Sequence, residues 1–213
     1  SWEKARILWL IVNVIFTFLI PYLIYFFLKL SKFKTILLIL IFMTCYPTRM
    51  ALNYGQQSLF VMFFMMLPFI FNSKFSIFAS GFSSVKYSSG YIIFLNFLVT
   101  KNYKNFFISI IPYLLGWIIY FTYTSSNPLT NFFEPIQLTL QSGYKRDGDI
   151  YSLLQIYFLN GNKVYSYLSI ILIFVLNFLL LIGINKIKDT FLKISLILIC
   201  PLIFFPHSNY DYV

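Results

Sequence analysis

Apolar residues gather in runs separated by short polar links. Eight runs can be traced, at about Ile7–Leu28, Thr35–Tyr46, Ser58–Phe71, Phe75–Val85, Tyr91–Thr100, Phe106–Tyr123, Val164–Ile184 and Phe191–Phe205. None shows the alternation of a transmembrane β-strand, so all are predicted to be helices. A full crossing of the hydrocarbon takes about 20 apolar residues. The fourth and fifth runs are too short for that. They are either tilted or broken half-spans around a cavity, or together a re-entrant pair. Pro21 interrupts the first run, which a membrane helix tolerates better than a soluble one. The pattern predicts an all-α, polytopic membrane bundle of about eight transmembrane or half-spanning helices. It forms one domain over residues 1–213, with a long link at 124–163.

Composition supports this reading. Of 213 residues, 60% are hydrophobic and 10% charged, and the mean hydropathy is +0.80. A water-soluble domain carries about 25% charged residues, so that class is excluded. The net charge of +10 raises a nucleic-acid partner. However, the basic residues sit singly or in small groups between apolar runs, as in loops facing anionic lipid, and no nucleic-acid partner is expected. Cys45 and Cys200 lie inside apolar runs without a CxxC spacing or a neighbouring His. They read as packing residues, and neither a metal nor a cofactor is expected. Phe and Tyr, with Ile, Asn and Lys, are frequent in the manner of an AT-rich genome, which weakens any aromatic cluster as a site marker. The chain opens on Ser1 and Trp2 and stops soon after an apolar run, so it reads as a piece of a longer protein. Residues 1–30 lack the positively charged leader and A-x-A-like cleavage site of a signal peptide and are not expected to be one.

Charge sets the expected orientation. Lys29, Lys32 and Lys34 follow the first run, Lys74 the third, Lys101 and Lys104 the fifth, and Lys186 and Lys188 the seventh. Strict alternation puts all four links on one side, which the positive-inside rule makes cytoplasmic. The 124–163 link then forms an outer-face loop. Arg49 and Lys86 each stand alone on that outer side, where an isolated cation near the membrane invites a partner.

The outer side also holds most of the polar groups capable of chemistry. In N-Y-G-Q-Q, Gly55 permits a tight turn that leaves backbone N–H groups at a helix N-terminus, a site for an anion or a sugar. An ordinary interfacial loop with Gln57 and Ser58 capping the next helix accounts for the same residues. Lys86 follows the small-residue stretch A-S-G-F-S-S-V, where helices approach closely or break. Its ammonium suits a phosphate oxygen, and a snorkelling interfacial lysine is the plainer reading. His207, the one histidine, lies four residues before Asp211, a spacing that lets a carboxylate orient the imidazole if the segment is helical. A purely structural histidine fits as well. No Walker loop, GxSxG elbow, HExxH or DxD pair is present, so ATP and cytosolic nucleotide-sugar chemistry have no support.

From Tyr54 to Lys104 the chain resembles glycosyltransferase family 87, the polyprenyl-phosphate-sugar-dependent mannosyltransferases with a GT-C membrane fold. The resemblance rests on Gly55 and Gln56 opening an apolar helix, the basic link at Ser73 and Lys74, and the stretch from Ala79 to Gly81 that ends at Lys86. Tyr91 to Val99 and the link Lys101 to Lys104 follow. The terminal F-P-H-S-N-Y-D is similar to the family's closing motif through Pro206, His207 and Ser208. Ser58 stands where the family favours Asn, and Tyr87 where Pro commonly follows the Lys. The resemblance implies a multi-pass enzyme of the cytoplasmic membrane. It would transfer a hexose, mannose by analogy, from a polyprenyl-phosphate sugar to a glycolipid or glycan acceptor on the outer face. It also implies that Arg49, Gly55, Gln56, Lys86 and His207 bind substrate, with His207 and Asp211 in support of catalysis. The general base is then expected to be a carboxylate upstream of Ser1. An O-antigen ligase or polymerase, or a lipid or solute transporter, are the rival readings.

Overall fold

The computed structural model describes residues 2–45, 48, 49, 52, 53, 57–124, 150 and 163–204. Among them all regular structure is helical. In chain order come α1 (Trp2–Leu28), α2 (Lys32–Thr44), α3 (Ser58–Ile70), α4 (Lys74–Ser80), a 3-10 helix (Gly81–Val85) and α5 (Tyr87–Val99). Then follow α6 (Tyr103–Thr124), α7 (Lys163–Ile184) and α8 (Thr190–Phe204). Each of the eight runs holds one α-helix, and the fourth ends in the 3-10 turn. α1 stays continuous through Pro21. The long link 124–163 lies outside the described residues apart from Thr124, Ile150 and Lys163.

Glu3–Leu28 and Tyr103–Tyr123 are each long and apolar enough to cross a membrane. The other apolar helices are shorter. Ile7, Ile11, Ile15 and Phe18 face outward along α1, and Leu114, Leu115, Ile118 and Ile119 do so along α6. Water does not tolerate so continuous an apolar surface, whereas lipid accepts it. The chain is membrane-associated.

α3 is the hub. Its residues Val61 and Met65 join Ile77 of α4, Ile92, Ile93 and Phe97 of α5, Leu181 of α7 and Ile197 of α8 in one buried cluster. On its other side Leu59 and Met66 pack with Phe16 and Ile20 of α1. The Phe16 and Phe60 rings meet edge to face at 5.6 Å, a favoured aromatic geometry. α2 buries no residue and leans on α1. The run α4, 3-10 helix and α5 packs against both α3 and α6. The fourth and fifth runs are thus two short helical arms joined by the 3-10 turn at Gly81–Val85.

The lysine-bearing links share one end of the bundle. Phe26 at the foot of α1 lies 5.6 Å from Phe71 below α3. Phe69, Val99 and Ile187 gather on the same core cluster. Asn185 donates to Asn96 Oδ1 at 2.9 Å, which ties the foot of α7 to the foot of α5. Lys29 and Lys101 take left-handed backbone conformations (φ 50° and 56°), ending α1 and α5. The N–H groups of Leu30 and Asn102 reach back to the carbonyls of Tyr25 and Phe97, the closure that glycine usually supplies.

Candidate active site

Lys86 sits between the 3-10 turn and α5, and the chain holds it there by local means. Ser73 and Ser76 form a reciprocal capping box that starts α4. Further along, Ser80, Ser83 and Ser84 each donate a hydroxyl to the carbonyl three residues back, at 2.7, 2.7 and 2.6 Å. These buried hydroxyls are thereby satisfied within their own turn, which tightens into 3-10 geometry. Gly81 is required by a neighbour, because a methyl group there would overlap the Ser109 carbonyl oxygen and press on the Pro112 ring of α6. At Gly90 a methyl group would strike the Ser83 backbone. Gly81 therefore lets the 3-10 turn seat against α6, and Gly90 lets the start of α5 close on that turn.

Lys86 itself is extended (φ −108°, ψ 95°) and stands at the N-cap of α5. Its carbonyl accepts from Ser89 and Gly90, and its Nζ donates to Ser58 Oγ at 3.4 Å. Ser58 is the first residue of α3. The N-termini of α3 and α5 thus meet at one ammonium group. Neither N-cap residue, Gln57 nor Lys86, supplies a side-chain cap to its helix. Two positive dipole ends and a lysine ammonium at one point give a local potential that suits an anion such as phosphate.

The structure places the other expected residues as follows. Arg49 is exposed on a helical pair, Thr48 and Arg49, beyond α2, and Lys86 donates to Ser58. Gly55, Gln56, His207 and Asp211 lie outside the described residues. Of the carboxylates, Asp189 caps α8 at the lysine end by accepting from Leu192 N–H at 2.8 Å, and Glu3 stands in the first turn of α1. Glu134, Asp147 and Asp149 lie outside the described residues. Among those described, no cluster of His, Cys, Asp or Glu has the makings of a metal site.

Sequence reasoning found Lys86 but not the role of Ser58 as its partner. The two are 28 residues apart, and the only signal was the departure from the family pattern at Ser58. The second departure is explained by position, since Tyr87 is the first residue of α5 and proline fits that place because the missing N–H has no partner there anyway.

A profile of glycosyltransferase family 87 matches residues 1–205. The chain belongs to glycosyltransferase family 87. It is therefore an enzyme that transfers sugar from a donor to an acceptor. No curated protein and no solved structure matches it. In this family 87 member, the N-termini of α3 and α5 meet at Lys86.

Proposed function

We propose that this family 87 enzyme is a multi-pass protein of the cytoplasmic membrane with a GT-C fold. It moves a hexose, mannose by family resemblance, from a polyprenyl-phosphate donor to a glycolipid or glycan acceptor at the outer face. The observation that carries the reading is the convergence of the α3 and α5 N-termini on Lys86. Here the donor phosphate accepts from the ammonium and from first-turn N–H groups, which also stabilise the negative charge it gains as the bond to the sugar breaks. Gln56, next in the chain to the N-cap of α3, and Gly55 line the sugar side. Arg49 supplies a second cation near the rim. His207, oriented by Asp211, hydrogen-bonds donor or acceptor, and a carboxylate acts as general base on the acceptor hydroxyl. The lysine end faces the cytoplasm.

The test is transfer from a polyprenyl-phosphate sugar by purified Lys86→Ala enzyme in liposomes. Loss of one charge-assisted phosphate contact is worth about 1.5–3 kcal/mol, so transfer should fall roughly ten- to hundredfold. Lys86→Arg should recover part of it. Unchanged transfer and donor affinity in Lys86→Ala would remove the phosphate from this turn.

A further inference from the structure

α1 meets α3 along one stripe. Trp9, Asn13, Phe16, Ile20 and Leu23 recur at alternating steps of four and three residues, the period that keeps side chains on one helix face. Asn13, Phe16, Ile20 and Leu23 are buried, Trp9 stands edge-on to Phe60 at 5.7 Å, and Phe16 packs on Phe60, Phe63 and Phe64. One step further toward the outer end of the same stripe, three residues before Trp9, comes Arg6. On α3, Phe60 lies only two residues from the start of the helix at Ser58. At about 1.5 Å per residue on both helices, Arg6 is level with the first residue of α3, and a helical side chain leans toward the N-terminus of its own helix. The stripe therefore outlasts α3 at Arg6, and the guanidinium meets the chain that enters the helix. Its Nη2 donates to the backbone carbonyl of Asn53 at 3.0 Å, a bond across 47 residues. Gln57, the N-cap of α3, comes four residues after Asn53, too short a stretch for the two to be placed independently.

We infer that Arg6 is a positioning residue for sugar transfer: by holding the Asn53 carbonyl it fixes where the chain enters α3, and with it Ser58, which accepts from Lys86. An arginine that merely reaches the interface ends in water or among head groups. This one lies on the face turned to α3 and ends on a carbonyl of its own chain. The guanidinium suits the task, since its rigid fork is charged at every working pH and its bond to a neutral oxygen is charge-assisted. The acceptor carries no charge, so α3 needs Arg6 as an anchor. Packing on Trp9 and Phe16 does not depend on that bond, and loss of Arg6 loosens the first turn of α3 while the bundle stands. The inference rests on the reading that transfer takes place at the Ser58–Lys86 turn, and it adds a residue that acts on that turn from α1.

Backbone amide hydrogen exchange, and transfer from a polyprenyl-phosphate mannose, are measured on the full-length protein in phosphatidylcholine liposomes. Arg6→Ala should speed exchange at the start of α3 several-fold and leave Phe64 to Ile70 as in the parent. Its kcat should fall roughly ten- to hundredfold, the scale of a small displacement near reacting groups, with the donor KM held within about twofold. Arg6→Lys keeps a donor at most of the reach and should recover part of both. In a Cys45→Ser, Cys200→Ala background, Arg6→Cys with Asn53→Cys should transfer slowly, recover when bridged by ethylene bis-methanethiosulfonate, and slow again on reduction. Bridged and open forms are one polypeptide, so this arm does not depend on how Arg6→Ala folds. Unchanged exchange in Arg6→Ala would overturn the tether, as would a bridged pair no faster than the open one. Faster exchange with undiminished kcat would overturn the positioning role, and a rise in KM alone would make Arg6 a direct ligand of the donor. A parent that transfers nothing from this donor would refute the donor reading, while exchange would still judge the tether.

Discussion

The two ends of the bundle treat their helix starts in opposite ways. At the lysine end, α2, α4, α6 and α8 begin, and each receives a side-chain cap. Ser31 accepts from Lys34 N–H, Ser73 from Ser76, Asn102 from Asn105 and Asp189 from Leu192. At the other end, α3 and α5 begin behind Gln57 and Lys86, neither of which caps its helix with its side chain. A cap satisfies first-turn N–H groups with the protein's own oxygen and so removes them from use by a ligand. The contrast separates an end where four helices are capped by side chains from one where Gln57 and Lys86 are not side-chain caps, the end that the proposal above assigns to the donor phosphate.

The strongest way to break this contrast acts on the turn itself. Gly90→Ala drives a methyl group into the Ser83 backbone and should destabilise by about 1–3 kcal/mol, read as a lowered melting temperature in detergent. Transfer should fall with it, because the same clash displaces Lys86. Next in size is Gln57→Asp, which puts a carboxylate at the N-terminus of α3. The helix dipole favours it by about 0.3–1 kcal/mol, so melting should not fall. A like charge beside the donor phosphate should nonetheless cut transfer by roughly tenfold or more. Retained transfer would show that the N-terminus of α3 is not a phosphate site.

Smaller effects are expected at the lysine end, and they should be confined to stability. Asp189→Ala removes the cap of α8 and should cost about 1 kcal/mol with little change in the KM for donor. Lys101→Gly relieves a left-handed lysine and should stabilise by up to about 1 kcal/mol, again without an effect on transfer. A transfer defect in either variant that exceeds its stability change would erase the division between the ends.

Most of the helical layout was legible because apolar runs and lysine links need no tertiary information. The run edges failed where local polarity misled. Trp2 to Arg6 continue α1 although they carry Glu3, Lys4 and Arg6, because an acid in the first turn suits the helix dipole. Tyr87 to Gly90 read as a link, yet they form the first turn of α5, held by the close approach of Gly90 to Ser83. Hydropathy also cannot tell α-helix from the 3-10 turn at Gly81–Val85, which depends on serine hydroxyls bonding back to their own carbonyls. At the site, Lys86 was legible as a misplaced cation. Ser58 was not, nor was the Asn96–Asn185 bond across 89 residues, since no local pattern encodes such pairings.

The notch at Gly81 also bears on how the molecule is made. The two-armed segment carrying Lys86 rests on α3, already synthesised when it emerges, and on α6, which is not. Gly81 seats against Ser109 and Pro112, so its receiving surface appears only after some thirty more residues have been added. During that interval the arms have α3 beside them but not α6, and neither is long enough to cross the bilayer unaided. Biogenesis of the turn at Lys86 is therefore tied to the arrival of α6, a helix that contributes structure to it from behind.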